Sequence, residues 1–490
     1  MGANLYDALG VRPFINCCAV RTVHGGSLML PEVRAAVDAA SRHFVNLDEL
    51  MEAASARIAA LTGAEWGIVT CGSAAAVALA TAACVAGNDP VKMMRLPFTE
   101  GWVNRVVMVK NQRFAYDQAI RMIGTHIVEV ETIAELDAAL AEPVAMIAVL
   151  GVLESASRVR LEDLVTRARP RGIPIMVDAA SEHIENPSPW LVRGADLVIY
   201  SGGKFLRGPQ TSGLLLGNKA LVQAAWRNAS PHQAIGRPMK VSKEDVIGVL
   251  TALEIWFDKG RAAREMARWR ADVAAIAAPL GVPGVSTDVI EPAGVVRVPR
   301  LRVRWDAART GITAEMLRLR LLEGAPRIMI DDMAATANSV EIDPFALQAG
   351  EAAVVGAAIA RVLNTNAVAA VPGAAATPDI SGEWNLRVSF LHGSRTHTLR
   401  LRQDGTAVSG EQKSEQFAGP VSGTLTAEGV ELALRARYEG SIISYQLRGA
   451  LNGGAMAGTV TLGSANDQHQ GAVNLAQFGG GEWRAEFVGE

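Results

Sequence analysis

Ser201-Gly202-Gly203-Lys204 follows directly on the apolar run Asp196-Leu-Val-Ile-Tyr200, and upstream a second apolar run, Ile173-Pro-Ile-Met-Val-Asp178, ends in an aspartate. A lysine on a Gly-Gly turn at a strand end can point its amine into a crevice. Burial there lowers the ammonium pKa and leaves a nucleophile toward aldehydes. An aspartate closing a neighbouring strand is the group that holds a pyridine nitrogen protonated. Lys204 and Asp178 together form the pair that pyridoxal 5'-phosphate (PLP) needs, a Schiff-base amine and a pyridinium partner. Such a site works on the carbon alpha to an amino group.

A phosphate-binding element is expected at Thr70-Cys71-Gly72-Ser73-Ala74, which follows a strand and starts a helix. Small residues let backbone N–H groups approach a phosphate, and the helix N-terminus favours its charge. Gly72, Ser73 and Ala74 are the candidates, with Ser201 as a further hydroxyl. By itself the same run reads equally well as a helix cap. Asp178 is harder to explain without a ligand, since an ionised carboxylate at the end of so apolar a strand needs a partner. Its plain alternative is a cap on the next helix. Lys204 could likewise be a surface lysine, but the glycines before it and Arg207-Gly208-Pro209 after it restrict its position.

The elements that must position these residues alternate from about Pro31 to Gly217. Short apolar runs at Gly67–Thr70, Arg105–Val109, Thr125–Val130, Val144–Leu150, Ile173–Val177 and Leu197–Tyr200 are separated by helical patterns such as Ile133–Ala141 and Leu161–Arg169. This spacing predicts an α/β fold with a mainly parallel sheet, whose sites lie at the carboxyl ends of the strands. Val246, Val249, Leu250, Leu253 and Trp256 predict a long amphipathic helix from Glu244 to about Leu280, leading into a smaller domain. That domain holds the alternating strand Arg300–Trp305 and a closing helix near Phe345–Leu363. Arg300, Arg302 and Arg304 share one strand face, either as a carboxylate clamp or as a solvated surface.

Beyond Asn364 the composition changes to an Ala-, Pro- and Asn-rich linker, and then to about eight short alternating strands with turns at Asp404-Gly405, Glu439-Gly440 and Asn452-Gly453. Period-2 alternation with that turn spacing predicts a small antiparallel barrel or sandwich. The expected division is an N-terminal segment over 1–30, a large α/β domain over 31–240, a small α/β domain over 241–363, a linker over 364–378 and a β domain over 379–490. His392, His397 and His469 are dispersed in the last of these and form no catalytic constellation.

A length of 490 residues suits two or three domains, and half the chain is apolar. The net charge of -3, with acids and bases mixed, favours neither nucleic acid nor an anionic membrane surface. No signal peptide and no membrane span are expected. Cys17, Cys18, Cys71 and Cys84 read as structural thiols in a reducing cytoplasm, and no residue group has the spacing of a metal site.

Gly72-Ser73-Ala74, Val177-Asp178-Ala179-Ala180, the stretch Ser201-Gly202-Gly203-Lys204 to Gln210, and Ala234–Lys240 resemble the SelA-like branch of the fold-type-I PLP enzymes, over about residues 5 to 365. That branch includes selenocysteine synthase and D-glucosaminate-6-phosphate ammonia-lyase. The resemblance implies an aspartate-aminotransferase-like fold and a homodimer or larger assembly with sites at the subunit interface. It implies Lys204 as the Schiff-base lysine, Asp178 as pyridinium partner, and Gly72, Ser73, Ala74 and Ser201 in the phosphate cup. Where such enzymes often place a histidine to stack on the cofactor, before an Arg-x-x-Tyr-Asp pattern, this chain has Gln112, which the resemblance counts among the cofactor-binding residues. Asn16-Cys-Cys-Ala19 and Arg21-Thr-Val-His24 also depart from the pattern, at positions expected to face substrate.

The expected function is a PLP-dependent carbon–nitrogen lyase releasing ammonia from a small amino acid or amino sugar acid. Racemisation, aldol cleavage and transamination share its first step. A non-catalytic PLP-binding scaffold is the alternative from another class. The absence of a basic excess argues against a tRNA substrate.

Overall fold

The computed structural model describes residues 5–294, 297–332, 334–364, 378–426, 429–466, 469–474 and 477–489. The linker expected over 364–378 therefore lies, apart from its ends, outside the described residues. The chain forms two compact units, one of residues 1–304, 317–330 and 341–364, the other of residues 305–316, 331–340 and 365–490.

The first unit is built on a seven-stranded sheet. Its strands are β1 (Trp66–Thr70), β2 (Arg105–Val109), β3 (His126–Val130), β4 (Met146–Leu150), β5 (Ile175–Asp178), β6 (Leu197–Ser201) and β7 (Gly213–Gly217), in the spatial order β1-β7-β6-β5-β4-β2-β3. All neighbours run parallel except β7, which is antiparallel to both β1 and β6. The parallel strands β4, β5 and β6 are buried along nearly their whole length, as expected of strands covered on both faces by helices. Gly213–Gly217 was not foreseen, because Gly-Leu-Leu-Leu-Gly is too short and too uniformly apolar to carry a period.

Register places the chemistry. Leu150 pairs with Asp178, Asp178 with Ile199, and Gly213 with both Ser201 and Thr70. The carboxyl ends of β1, β4, β5 and β6 thus finish on one edge of the sheet. The single long helix expected over 244–280 is instead two, Lys243–Trp256 and Arg261–Ala277. The apolar period continues across the break, but Asp258-Lys259-Gly260 ends the first helix. Arg300, Arg302 and Arg304 pair with carboxylates of their own unit: Arg300 with Asp343 at 3.2 Å, Arg302 with Glu341 at 2.6 Å, and Arg304 with Asp288. That pairing fits the solvated strand face rather than a clamp.

The second unit contains a closed antiparallel barrel of eight strands: β8 (Gly382–Ser389), β9 (Ser394–Asp404), β10 (Ala407–Lys413), β11 (Ala418–Thr426), β12 (Gly429–Tyr438), β13 (Ser441–Asn452), β14 (Ala455–Asn466) and β16 (Gly480–Gly489). The short strand β15 (His469–Asn474) pairs with the end of β14. Sequential hairpins pair each strand with the next from β8 to β14, and β16 closes the ring by pairing with both β14 and β8. Its core includes Trp384, Leu399, Leu434, Leu447, Val460 and Trp483. Closure removes exposed sheet edges, which is how an isolated all-β unit avoids pairing with other chains. No helix among the described residues is long and apolar enough to cross a membrane.

Candidate functional site

Asp178 is the last residue of β5 and is 8 % exposed. Its Oδ1 accepts the Ala180 N–H at 2.9 Å. Burial pushes the carboxyl above its ordinary pKa, while the Ala180 N–H and the Lys204 charge pull it down. A carboxylate so placed calls for a positive partner.

Lys204 lies on the loop after β6. Its Nζ donates to Ser181 Oγ at 2.8 Å. Part of the side chain remains accessible, but the surrounding protein pushes the ammonium below its ordinary pKa, with the Asp178 charge opposing. Each group thus disfavours its own charge by burial and supports the other's. The loop is tightly built. Gly202 N–H donates to the Ser212 carbonyl, and Gly208 N–H donates back to the Gly202 carbonyl, both at 2.9 Å. A Cβ on Gly203 would stand 2.7 Å from the Gln210 Cα, so a side chain there would force the loop apart and move Lys204.

The N-terminal segment is fastened to this loop. The Ser27 N–H and Oγ both donate to the Gly203 carbonyl, at 3.2 and 2.9 Å. Arg207 Nε donates to the Leu28 carbonyl at 3.1 Å, and Leu30 N–H to the Arg207 carbonyl at 3.2 Å.

The helix Gly72–Ala86 starts just past β1, and its N-cap, Cys71, makes no side-chain cap hydrogen bond. Its first N–H groups are therefore left to an outside acceptor, and Ser73 and Ala74 in that turn are partly accessible. A Cβ on Gly213 would lie 2.6 Å from the Ser73 nitrogen, so only glycine allows β7 to start against this helix end. Ser201 pairs with the same Gly213 and is partly accessible.

Gln112 is placed differently from the expectation. It has no exposed surface, its Oε1 accepts the Leu150 N–H at 2.9 Å, and its Nε2 donates to Ser157 Oγ at 2.8 Å. With both ends of the amide committed and no face accessible, it braces the end of β4 and offers nothing to a cofactor ring. Asn16 forms a local turn, its Oδ1 accepting the Cys18 N–H and its Nδ2 donating to the Ala19 carbonyl.

Sequence reasoning missed Ser181, Glu182 and His183, although a polar run just past an apolar strand end was visible. Glu182 Oε2 accepts from Trp190 Nε1 at 3.0 Å and lies 3.6 Å from Arg297 Nη2. His183 packs edge-on against Phe205, beside Lys204, and against Trp256. Burial, with the Arg297 charge, lowers the His183 pKa to about 4.

The donors suit PLP: an uncapped helix N-terminus with a serine for a phosphate, a buried carboxylate for a pyridinium, and an amine of lowered pKa for an aldehyde. Among the described residues, no group of three or more His, Cys, Asp or Glu could hold a metal ion.

No protein-family model matches the chain. It is 31 % identical over 373 residues to a D-glucosaminate-6-phosphate ammonia lyase of Salmonella typhimurium, covering 74 % of this chain and 98 % of the relative. A solved structure of D-glucosaminate-6-phosphate ammonia-lyase matches with a TM-score of 0.66 at 30 % identity, over 74 % of this chain and 99 % of that one. A 5'-C-glycyluridine monooxygenase-decarboxylase of a Streptomyces species is 33 % identical over 368 residues, 71 % of this chain and 90 % of the relative. An L-seryl-tRNA(Sec) selenium transferase of Moorella thermoacetica is more distant, 26 % identical over 301 residues, 54 % of this chain and 60 % of the relative.

Proposed function

This chain belongs to the SelA-like branch of the fold-type-I PLP enzymes, and on that premise we propose that it is a PLP-dependent carbon–nitrogen lyase acting on a small amino acid or amino sugar acid. The observation that carries this reading is the Asp178–Lys204 pair, set at adjacent strand ends with each pKa displaced by burial and countered by the other's charge.

Gly72, Ser73, Ala74 and Ser201 would hold the phosphate, Asp178 the ring nitrogen, and Lys204 the aldehyde carbon. The bound group withdraws electrons from the alpha carbon of an amino substrate, making its proton acidic. Asp178 keeps its negative charge at the ring nitrogen, where an asparagine would not. Lys204, once its amine is free, takes the alpha proton, and burial, by lowering its pKa, favours the neutral amine that this step requires. Ser181 holds that amine beside the reacting carbon. Loss of hydroxide or a similar group from the beta carbon then gives an enamine, which hydrolyses to a keto product and ammonia.

The relative named as a monooxygenase-decarboxylase favours a second reading, loss of carboxylate from the alpha carbon with consumption of oxygen. A panel of beta-hydroxy amino acids and amino sugar acids separates the two. Stoichiometric ammonia and keto product without oxygen uptake support the lyase, whereas carbon dioxide with oxygen uptake supports the other. Neither product from any member, in protein that holds PLP, would leave a binding scaffold. We also read the chain as a homodimer or larger assembly, supported by exposed apolar side chains such as Phe44, Leu9 and Leu5. Sedimentation velocity tests that.

A further inference from the structure

The barrel has a polar interior at one end. His397 on β9 is 1 % exposed, yet among the described residues its Nε2 has no hydrogen-bond partner. The proton on this ring can be placed. Gln412 on β10 donates from Nε2 to the Arg435 carbonyl at 3.3 Å, so its Oε1 is the atom that faces His397 Nδ1 at 2.8 Å. Nδ1 must then carry the hydrogen. Burial and the Arg395 charge hold the ring below its ordinary pKa, so it is neutral and Nε2 is a bare acceptor. A buried acceptor without a donor is costly to keep and calls for an explanation.

β9 and β13 lie four strands apart around a ring of eight, on opposite walls. The His397 ring nevertheless meets the Tyr445 ring of β13 edge-on, 5.3 Å between centroids. This contact crosses the lumen. Toward the hairpins that join β8 to β9, β10 to β11 and β12 to β13, the next inward residue of β9 is Arg395. Arg395 covers the Phe417 ring at 4.8 Å, stands beside Tyr445 and donates to Gln416 at 3.3 Å, and among the described residues it has no carboxylate partner. Phe417 in turn packs against Tyr438 at the rim. Eight-stranded barrels are the size at which side chains either fill the interior or leave room for one small ligand.

We propose that this end of the barrel binds a short hydroxy acid, its hydroxyl donating to His397 Nε2 and its carboxylate held by Arg395 and the Tyr445 hydroxyl. The acceptor defines one end of the ligand and the unneutralised guanidinium the other. All these residues lie outside the proposed PLP site, so the inference stands apart from the lyase reading.

The test is calorimetric titration of the full chain with glycerate, against propionate, which lacks the hydroxyls, and glycerol, which lacks the carboxylate. Arg395→Gln and His397→Phe are measured in parallel, and Arg395→Gln serves as the variant at a partly exposed position should His397→Phe fail to fold. The expected result is glycerate binding at least tenfold tighter than either control, reduced at least tenfold by each folded variant. Glycerate binding no tighter than the controls, or unaffected by Arg395→Gln, overturns the proposal, as does the absence of any glycerate binding.

Discussion

The Lys204 amine donates to Ser181 Oγ at 2.8 Å, and Ser181 stands three residues beyond Asp178, so one short loop links the acid at the end of β5 to the base on the loop after β6. If Ser181 holds the free amine in place, Ser181→Ala should lower kcat roughly twofold to tenfold, since a hydrogen bond between neutral groups is worth about 0.5–1.5 kcal/mol. KM should change little, and Ser181→Thr should recover most of the loss. The absorbance of the bound cofactor against pH gives a readout apart from turnover, and its midpoint should move in Ser181→Ala. An unmoved midpoint with normal kcat would leave the serine a bystander.

Lys204 should be the residue that borohydride fixes. The purified protein is expected to be yellow, and peptide mapping after reduction should place one pyridoxyl group on Lys204. Lys204→Ala should lose turnover by several orders of magnitude while the protein still folds. A pyridoxyl group on another lysine would refute the assignment.

Asp178→Asn keeps size and the Ala180 hydrogen bond but removes the charge. Turnover should fall by about 100-fold or more, with far-UV circular dichroism unchanged. If turnover held at the wild-type level, the aspartate would be only a cap for the Ala180 N–H.

His183 gives the first unit a pH signature. Its ring is held neutral, with a folded pKa of about 4 against 6.5 when unfolded. Between those values the unfolded chain binds the additional proton, so stability rises with pH and is lost as pH falls from about 6.5 toward 4. The full displacement would correspond to roughly 3 kcal/mol, and residual solvation of the ring reduces that to about 2. The urea midpoint of His183→Phe should therefore fall less than that of wild type between pH 7 and pH 4.5. Parallel losses in the two proteins would show that other groups dominate the acid response.

The sheet, the barrel and the Asp178–Lys204 pair were legible because each rests on local signals: uniform apolar runs, period-2 alternation, and rare residues at strand ends. Gln112 was misplaced because its position depends on Leu150 and Ser157, which are distant in sequence and reach it only through the sheet. Ser181 was missed for a related reason. A serine in a loop has no pattern of its own, and its meaning comes from a lysine 23 residues later. The broken helix shows the converse limit, since an apolar period can run on through a Gly-containing turn that ends the hydrogen bonding.

The barrel should fold without the rest of the chain. Its core side chains, Trp384, Leu434, Leu447 and Trp483 among them, pack on one another, and every edge of the eight-stranded ring is paired. Residues 379–490 expressed alone should thus give a cooperative thermal transition and a β-type circular dichroism spectrum. The remaining chain, cut after Leu363, keeps all seven strands of the sheet together with Asp178 and Lys204. It should still bind PLP and yield a pyridoxyl group on Lys204 after borohydride, while its assembly size or its KM changes. Loss of PLP from the shortened chain would mean that the C-terminal region contributes to the cofactor site, and the boundary at Leu363 would have to move.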